Sequence, residues 1–285
     1  MKYLKKFSLP TFQSESLYDF PTKYPFSLFS SKDFYEVYFS DVTIFYGSNG
    51  SGKSTLLNVI NHKFNLKRRS SFFADETFKA YVDKCSFQLE YNDDLDELYE
   101  LPKNSKIIAS EDVFNHILNI REENIKNEKN SLKLKKEYSK IKKGNVKFGG
   151  LKDYESLVAQ NEVRSKTQTS FIRERTNFIK QFSNGESSLR FFDSELENDG
   201  LYLLDEPENS LSPEFQVQLM RLIVECSRYC NCQFIIATHS PFLLSIPGAK
   251  IYNLDDNPVD VCDWTELENV RFYYDFFKSH EDEFE

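Results

Sequence analysis

Gly47-Ser48-Asn49-Gly50-Ser51-Gly52-Lys53-Ser54 fits the pattern GxxxxGK[ST] without departure, and no other feature restricts the fold as much. An apolar run, Thr43–Tyr46, leads straight into it, and a helical pattern from Thr55 to Lys63 leads straight out. Strand, loop and helix in that order form an anion cradle. The glycines let successive backbone N–H groups turn inward, and the helix start adds its dipole. Lys53 can place a point charge on β- and γ-phosphates, while the Ser54 hydroxyl can ligate Mg²⁺, with Thr55 closing the loop. A Gly/Ser-rich turn that matches by chance is the bland alternative, and it would not place strand and helix in register.

The rest of such a site is legible downstream. Leu201-Tyr202-Leu203-Leu204-Asp205-Glu206 is an apolar strand ending in two carboxylates, the Walker B pattern. Asp205 is expected to hold Mg²⁺ and Glu206 to orient and polarise the attacking water, because phosphoryl transfer is mostly positioning and charge. Ala237-Thr238-His239-Ser240 closes the next apolar run, and His239 is expected to sense a γ-phosphate. Ser183-Asn184-Gly185-Glu186-Ser187 reads first as a capping box, Ser183 with Glu186 three residues on. A capped helix start with a glycine is also an anion site.

Around these motifs the chain alternates strand and helix patterns, which implies an α/β fold. Residues 33–46 read as two short strands with a turn at Ser40-Asp41. Asp93–Glu100 is acidic and loop-like, and Lys106–Ala109 is a strand. Leu201–Asp205 and Gln233–Thr238 look like buried parallel strands, Ser212–Tyr229 is helical, and Lys250–Leu254 reads as the last strand. Between them lies a mostly helical insertion, residues 110–182, with helices over 113–143 and 153–180 and stops at Gly144, Gly149 and Gly150. Residues 1–109 and 183–285 then make one nucleotide-binding core with a mostly parallel sheet and antiparallel strands at its N-terminus.

Charge separates the insertion from the core. The whole chain carries −9, so bulk attraction to nucleic acid is excluded. Residues 121–147 hold ten Lys/Arg against four Glu. That stretch is either a solvated helix face or a local patch for DNA or RNA. Apolar runs are far too short to span a bilayer, and no apolar stretch follows the lysines of Met1–Pro10, so neither membrane span nor signal peptide is expected. Five cysteines, an odd number in a long chain, suit reduced thiols in a cytoplasm. Cys226, Cys230 and Cys232 lack the paired spacing and histidine of a zinc site and read as small buried residues.

Taken in order, GSNGSGKST, SNGES, LYLLDEPEN and ATHS resemble an ABC-type ATPase, with SNGES in the place of the LSGGQ signature. The resemblance implies that Ser183, Asn184, Gly185 and Glu186 of one subunit close over ATP held by the Walker motifs of another. It implies MgATP as ligand, ATP hydrolysis, and an ATP-dependent homodimer. Asp205-Glu206-Pro207-Glu208 with Leu211-Ser212-Pro213 resembles the non-transporter branch of SMC-like repair ATPases, recombination mediators and OLD-family nucleases. The family's Q-loop glutamine is missing, and by position Glu111, after the strand at 106–109, takes its place as a metal contact. The loop after Walker B, Ser210-Leu211-Ser212, lacks the transporters' aspartate. The whole chain, including Trp264-Thr265-Glu266-Leu267-Glu268-Asn269, is similar to small stand-alone bacterial proteins grouped as "AAA family ATPase", often met in phage-defence settings.

Only 127 residues lie between Thr55 and Ser183, which excludes a long SMC arm. Only 46 follow His239, too few for an OLD-type nuclease domain. The expectation is a cytoplasmic ATP-driven dimeric switch acting on a separate effector protein, or a sensor that binds nucleic acid through 121–147.

Overall fold

A computed structural model of the chain describes residues 3–16, 23–92, 97–143, 158, 161–163, 165–174, 184–209 and 211–284. The chain forms two compact units: Met1–Phe114 with Asn184–Glu285, and Asn115–Ser183. In chain order the strands are β1 (Leu4–Ser8), β2 (Glu36–Tyr38), β3 (Val42–Tyr46), β4 (Ser86–Leu89), β5 (Tyr91–Asn92), β6 (Glu97–Leu98), β7 (Lys106–Ala109), β8 (Gly200–Asp205), β9 (Cys232–Ala237), β10 (Lys250–Asn253) and β11 (Asp260–Cys262). The helices are α1 (Phe12–Glu15), α2 (Lys53–Phe64), α3 (Glu76–Lys84), α4 (Ser110–Lys143), α5 (Gln168–Arg173), α6 (Asn184–Glu195), α7 (Pro213–Tyr229), α8 (Pro241–Leu244) and α9 (Glu268–Ser279).

The first unit is built on a six-stranded sheet in the order β11-β10-β3-β9-β8-β7. Its pairings are parallel except β10 with β11. All of β3 and β9 is buried, as is β8 up to Leu204. Strands covered on both faces lose the polar alternation of half-exposed ones, which is why they read as continuous apolar runs. Leu56, Leu57, Val59 and Ile60 bury the inner face of α2 in the same core.

A second, antiparallel sheet, β2-β1-β4, lies at the N-terminus. Gln233 ties it to β9. Its carboxamide oxygen accepts from Tyr3 N–H (2.9 Å) and Leu4 N–H (2.8 Å), and its amide donates to Leu4 O (2.8 Å) and Ser40 O (3.1 Å). A buried amide with every valence used links two sheets at no desolvation cost.

Two expectations need correction. Lys250–Leu254 does not end the sheet: the chain turns back and adds β11 against β10. Nor is Asp93–Glu100 wholly a loop, since Glu97–Leu98 pairs with Tyr91–Asn92; residues 93–96 lie outside the described residues.

In the second unit Tyr138, Leu134 and Ile141 of α4 pack on Val163, Phe171 and Ile172. The Tyr138 ring lies 5.5 Å from Phe171, and its hydroxyl donates to Lys166 O at 3.0 Å. Gly144, Gly149, Gly150 and most of the stretch 153–180 lie outside the described residues; α5 and residues 161–163 are helical.

No helix among the described residues is long and apolar enough to cross a membrane. Cys226 lies on α7, Cys230 just after it and Cys232 at the head of β9, all free. Burial pushes the Cys226 thiol up to about 12 and Cys232 to about 11, so both stay protonated at neutral pH.

Candidate functional site

The parallel register aligns four strand ends. Asp205 pairs with Ala237, Ala237 with Phe45, and Tyr46 with Asn253. The residues that leave these ends, Glu206, Thr238–His239, Gly47 and Leu254–Asp255, therefore meet beyond one edge. That is where ligands bind in open parallel sheets.

Gly47–Ser54 wraps this edge before α2. Gly50 (φ +85°) and Gly52 (φ +110°) adopt backbone conformations that L side chains rarely enter. A Cβ on Gly47 would stand 2.6 Å from Ser51 Oγ, so the loop is closed as tightly as glycine allows. Lys53 is almost wholly buried, and its ammonium spans the loop to Gly47 O (2.7 Å) and Ser48 O (3.1 Å). Burial lowers its pKa, against the pull of Glu206, Asp255 and Asp205. Lys32 staples the outside, donating to Ser51 O (3.1 Å) and Leu254 O (2.6 Å). Tyr24 donates to Thr55 Oγ1 at 2.7 Å.

Ser54 Oγ donates to Asp205 Oδ1 at 2.8 Å. Burial raises the Asp205 pKa, opposed by the Ser54 hydrogen bond. A hydroxyl and a partly desolvated carboxylate side by side are hard oxygen donors, the set that suits Mg²⁺. A loop that turns through Gly50 and Gly52 at positive φ suits a polyphosphate.

Glu206 sits in the left-handed region (φ +47°), held by its N–H to Ala237 O (2.9 Å) and by Asn209 Nδ2 on its Oε2 (2.9 Å). A non-glycine residue at positive φ stores strain that its surroundings must enforce. The other Glu206 oxygen lies 3.8 Å from His239 Nε2, too far for a hydrogen bond. His239 Nε2 is buried without a hydrogen-bond partner among the described residues, and its ring meets Tyr46 edge-on at 6.2 Å. Burial, then the Lys53 charge, lowers the His239 pKa, so the imidazole is neutral at pH 7.

Three groups at this edge went unread in the sequence. Glu208 Oε1 accepts from Thr238 Oγ1 (2.7 Å), His239 N–H (2.7 Å) and Ser240 N–H (3.2 Å), which locks the loop after β8 to the tip of β9. Its other oxygen is buried and unpartnered, and burial raises its pKa. Asp255 accepts from Ser48 N–H (2.6 Å) and Ser48 Oγ (2.8 Å). Asn269 of α9 donates to His239 O (3.0 Å). The third carboxylate of DEPE, Glu208, was visible in the sequence; the other two come from elements whose placement only the fold reveals.

The remaining expected residues lie elsewhere on the structure. Asn184 and Gly185 open α6, Glu186 pairs with Arg190 at 3.3 Å, and Ser183 lies outside the described residues, as does Ser210. A Cβ on Gly185 would come within 2.5 Å of the Phe215 ring on α7, so glycine permits that helix contact. At its other end Glu195 holds Lys106 (3.1 Å) and Arg69. Glu111 is exposed at the start of α4, whereas its neighbour Asp112 is buried and accepts Ala109 N–H at 2.9 Å. Ser48, Asn49 and Ser51 complete the loop, with Ser51 N–H donating to Ser48 O at 3.1 Å.

Residues 87–245, more than half of the chain, match the family model described as "AAA domain, putative AbiEii toxin, Type IV TA system". The chain belongs to this AAA-domain family. As a member it is an ATP-binding ATPase domain of ABC type, in agreement with the loop and sheet above. No curated protein matches it. Among solved structures it is similar to the Smc head domain of Pyrococcus furiosus bound to the C-terminal domain of ScpA, at 13% identity and TM-score 0.43, covering 98% of this chain and 100% of that one. The SMC head domain of Thermotoga maritima is similar at 14% identity and TM-score 0.42, covering 92% and 98%. Stu0660 of Streptococcus thermophilus is similar at 15% and 0.42, covering 96% and 80%.

Proposed function

We propose that this AAA-family domain binds MgATP between two copies of itself, hydrolyses it, and uses closure and release of that dimer to switch a separate effector protein. The observation that carries the reading is the meeting of Lys53, Ser54–Asp205, Glu206 and His239 beyond one sheet edge. Gly47 to Thr55 bind the phosphates, with Lys53 leaving its loop carbonyls for the β- and γ-phosphates. Ser54 and Asp205 hold Mg²⁺, which supplies charge neutralisation on the phosphates when bound; Glu111 is a candidate for a further contact. Glu206 orients the attacking water and takes up its proton. His239, neutral and with a free ring nitrogen, donates a hydrogen bond to the γ-phosphate. Ser183, Asn184, Gly185 and Glu186 act on the nucleotide of the partner copy. The family's description as a toxin of a type IV toxin–antitoxin system favours a bacterial defence setting over genome maintenance.

A complementation experiment tests the shared site. Ser183→Arg blocks the helix start and Lys53→Ala releases the phosphates, so each protein alone is expected to lose turnover about 10²–10³-fold. A mixture of the two rebuilds one working site per mixed dimer and should recover turnover well above either parent. Folded, exchanging mixtures that stay as inactive as the parents would sink the arrangement. Glu206→Gln should retain ATP and accumulate as a dimer on size-exclusion chromatography.

A further inference from the structure

Helix α9 buries one residue, Val270, and exposes nearly everything else. Phe272 (69% exposed), Tyr273, Tyr274, Phe276 and Phe277 face outward, and Phe284 follows them. Monomers rarely expose a contiguous apolar patch of this kind without a use for it. The segment is also acidic: Glu268, Asp275, Glu281, Asp282, Glu283 and Glu285 stand against Arg271 and Lys278. Both cations lie over the Tyr274 ring at 5.2 and 5.5 Å, and Arg271 also stands 3.9 Å from Asp275, which leaves Glu268 and the acidic residues after the helix to face outward. A cleft of about 470 Å³ runs from Phe272 and Tyr273 past Glu268 and Asp255 to Tyr46, Ser48 and His239 at the edge of the site. Asn269 Oδ1 is buried there with no donor. Ring faces, carboxylates and an idle acceptor are the chemistry of a surface that receives cations.

The same sequence carries the complement. On α4 the packed face is Leu134, Tyr138 and Ile141. On its opposite face Leu118, Ile125 and Leu132 recur every seven residues, and all three are exposed. Interleaved with them, again every seven, come Lys129, Lys136 and Lys143, also exposed. Seven residues are close to two helical turns, so both rows share one stripe, apolar and cationic at once.

We infer that the aromatic, acidic face of α9 docks on the Leu118–Lys143 stripe of α4 in a second copy of this chain. The lysine row meets the carboxylates, and the leucine–isoleucine row covers the phenylalanine rings. Each copy presents both surfaces, so every copy can both give and receive the contact. Asn269 joins α9 to the His239 backbone, so occupancy of α9 is felt at the site. The docking does not need ATP-driven closure, and the two readings fail separately.

Two charge-reversed full-length proteins test it. One carries Glu281→Lys, Asp282→Lys and Glu283→Lys; the other carries Lys129→Glu, Lys136→Glu and Lys143→Glu. All six positions are exposed, and retained affinity for a fluorescent ATP analogue checks the fold. In sedimentation velocity at low salt, each protein alone faces like charge across both contacts and should self-associate at least tenfold more weakly than the parent. Mixed together, both contacts become attractive, and association should return as a heterodimer. Phe272→Ser with Phe276→Ser should weaken association with no charge change. Parent-like association of both reversed proteins overturns the docking, and so does a mixture that stays dissociated. If the lysine-reversed protein loses affinity for labelled duplex DNA while the mixture fails to re-associate, the stripe serves nucleic acid instead. Repeating the runs with and without ATP isolates the closure reading, which alone predicts a nucleotide dependence.

Discussion

Truncating Glu208 to alanine should uncouple the two strand ends that carry Glu206 and His239. Three donors converge on its Oε1: Thr238 Oγ1, His239 N–H and Ser240 N–H. Ser240 N–H keeps a second acceptor, Thr238 Oγ1 at 3.0 Å, and the threonine hydroxyl can rotate. One donor, His239 N–H, is left stranded, which costs about 1–3 kcal/mol. The vacated methylenes leave a small cavity worth roughly 1 kcal/mol more. Against this, a buried carboxylate with one unpartnered oxygen disappears, which returns part of its desolvation cost. The net is about 2–3 kcal/mol of lost stability, seen as a thermal midpoint lower by roughly 2–4 °C per kcal/mol. Glu208→Gln keeps an acceptor in place of Oε1 and removes the charge, so it should stay within about 1 kcal/mol of the parent. Turnover should follow the same order, with alanine losing kcat and glutamine retaining most of it. Calorimetry and a steady-state ATPase assay on the three proteins decide the matter. An alanine variant equal to the parent in both, or a glutamine variant as damaged as alanine, would refute the coupling.

Lys53→Ala should abolish tight binding of a fluorescent ATP analogue, since its buried ammonium is held within the loop by Gly47 O and Ser48 O, whereas Lys32 lies outside it; unchanged affinity would remove the loop from the site. Asp205→Asn should stabilise the ligand-free protein in EDTA at pH 7, because a folded carboxylate with a raised pKa resists ionisation. The gain should be absent below the unfolded value of about 3.9 and grow as pH rises through the higher folded value. Denaturation midpoints that do not diverge with pH would contradict it. Gly185→Ala should push α6 off Phe215 and lower the thermal midpoint, and Gly185→Ala with Phe215→Leu should recover it; a lone alanine without effect would show that the ring yields freely.

How much of this could be read from the sequence depends on the range of the contact. Thr43 to Lys63 was legible because strand, loop and helix are adjacent, and glycines sit where positive φ is needed. The DE pair was legible because a buried strand in the middle of a parallel sheet has no polar positions to blur it. Strand order was not: nothing local says that β3 lies between β9 and β10. For the same reason neither Asp255 nor Asn269 stood out as a site residue, though both touch the site. Glu208 was visible only as part of DEPE, because the three donors that surround it belong to the tip of β9. Asp112 rather than Glu111 turns inward because its carboxylate is needed to cap a backbone N–H.

The position of β3 bears on how the chain is made. Val42 pairs with Phe234 and Lys250 with Thr43, so β3 acquires both neighbours only after Phe234 and Lys250 have been made. Gln233, which ties β1 into place, emerges at the same late moment. Contacts of such long sequence range close slowly, because the loop entropy must be spent before they form. A ribosome therefore carries an apolar, edge-bare β3 until β9 has emerged, the condition in which nascent chains aggregate or recruit chaperones. The strand order itself thus sets which part of the sheet must wait longest for its partners.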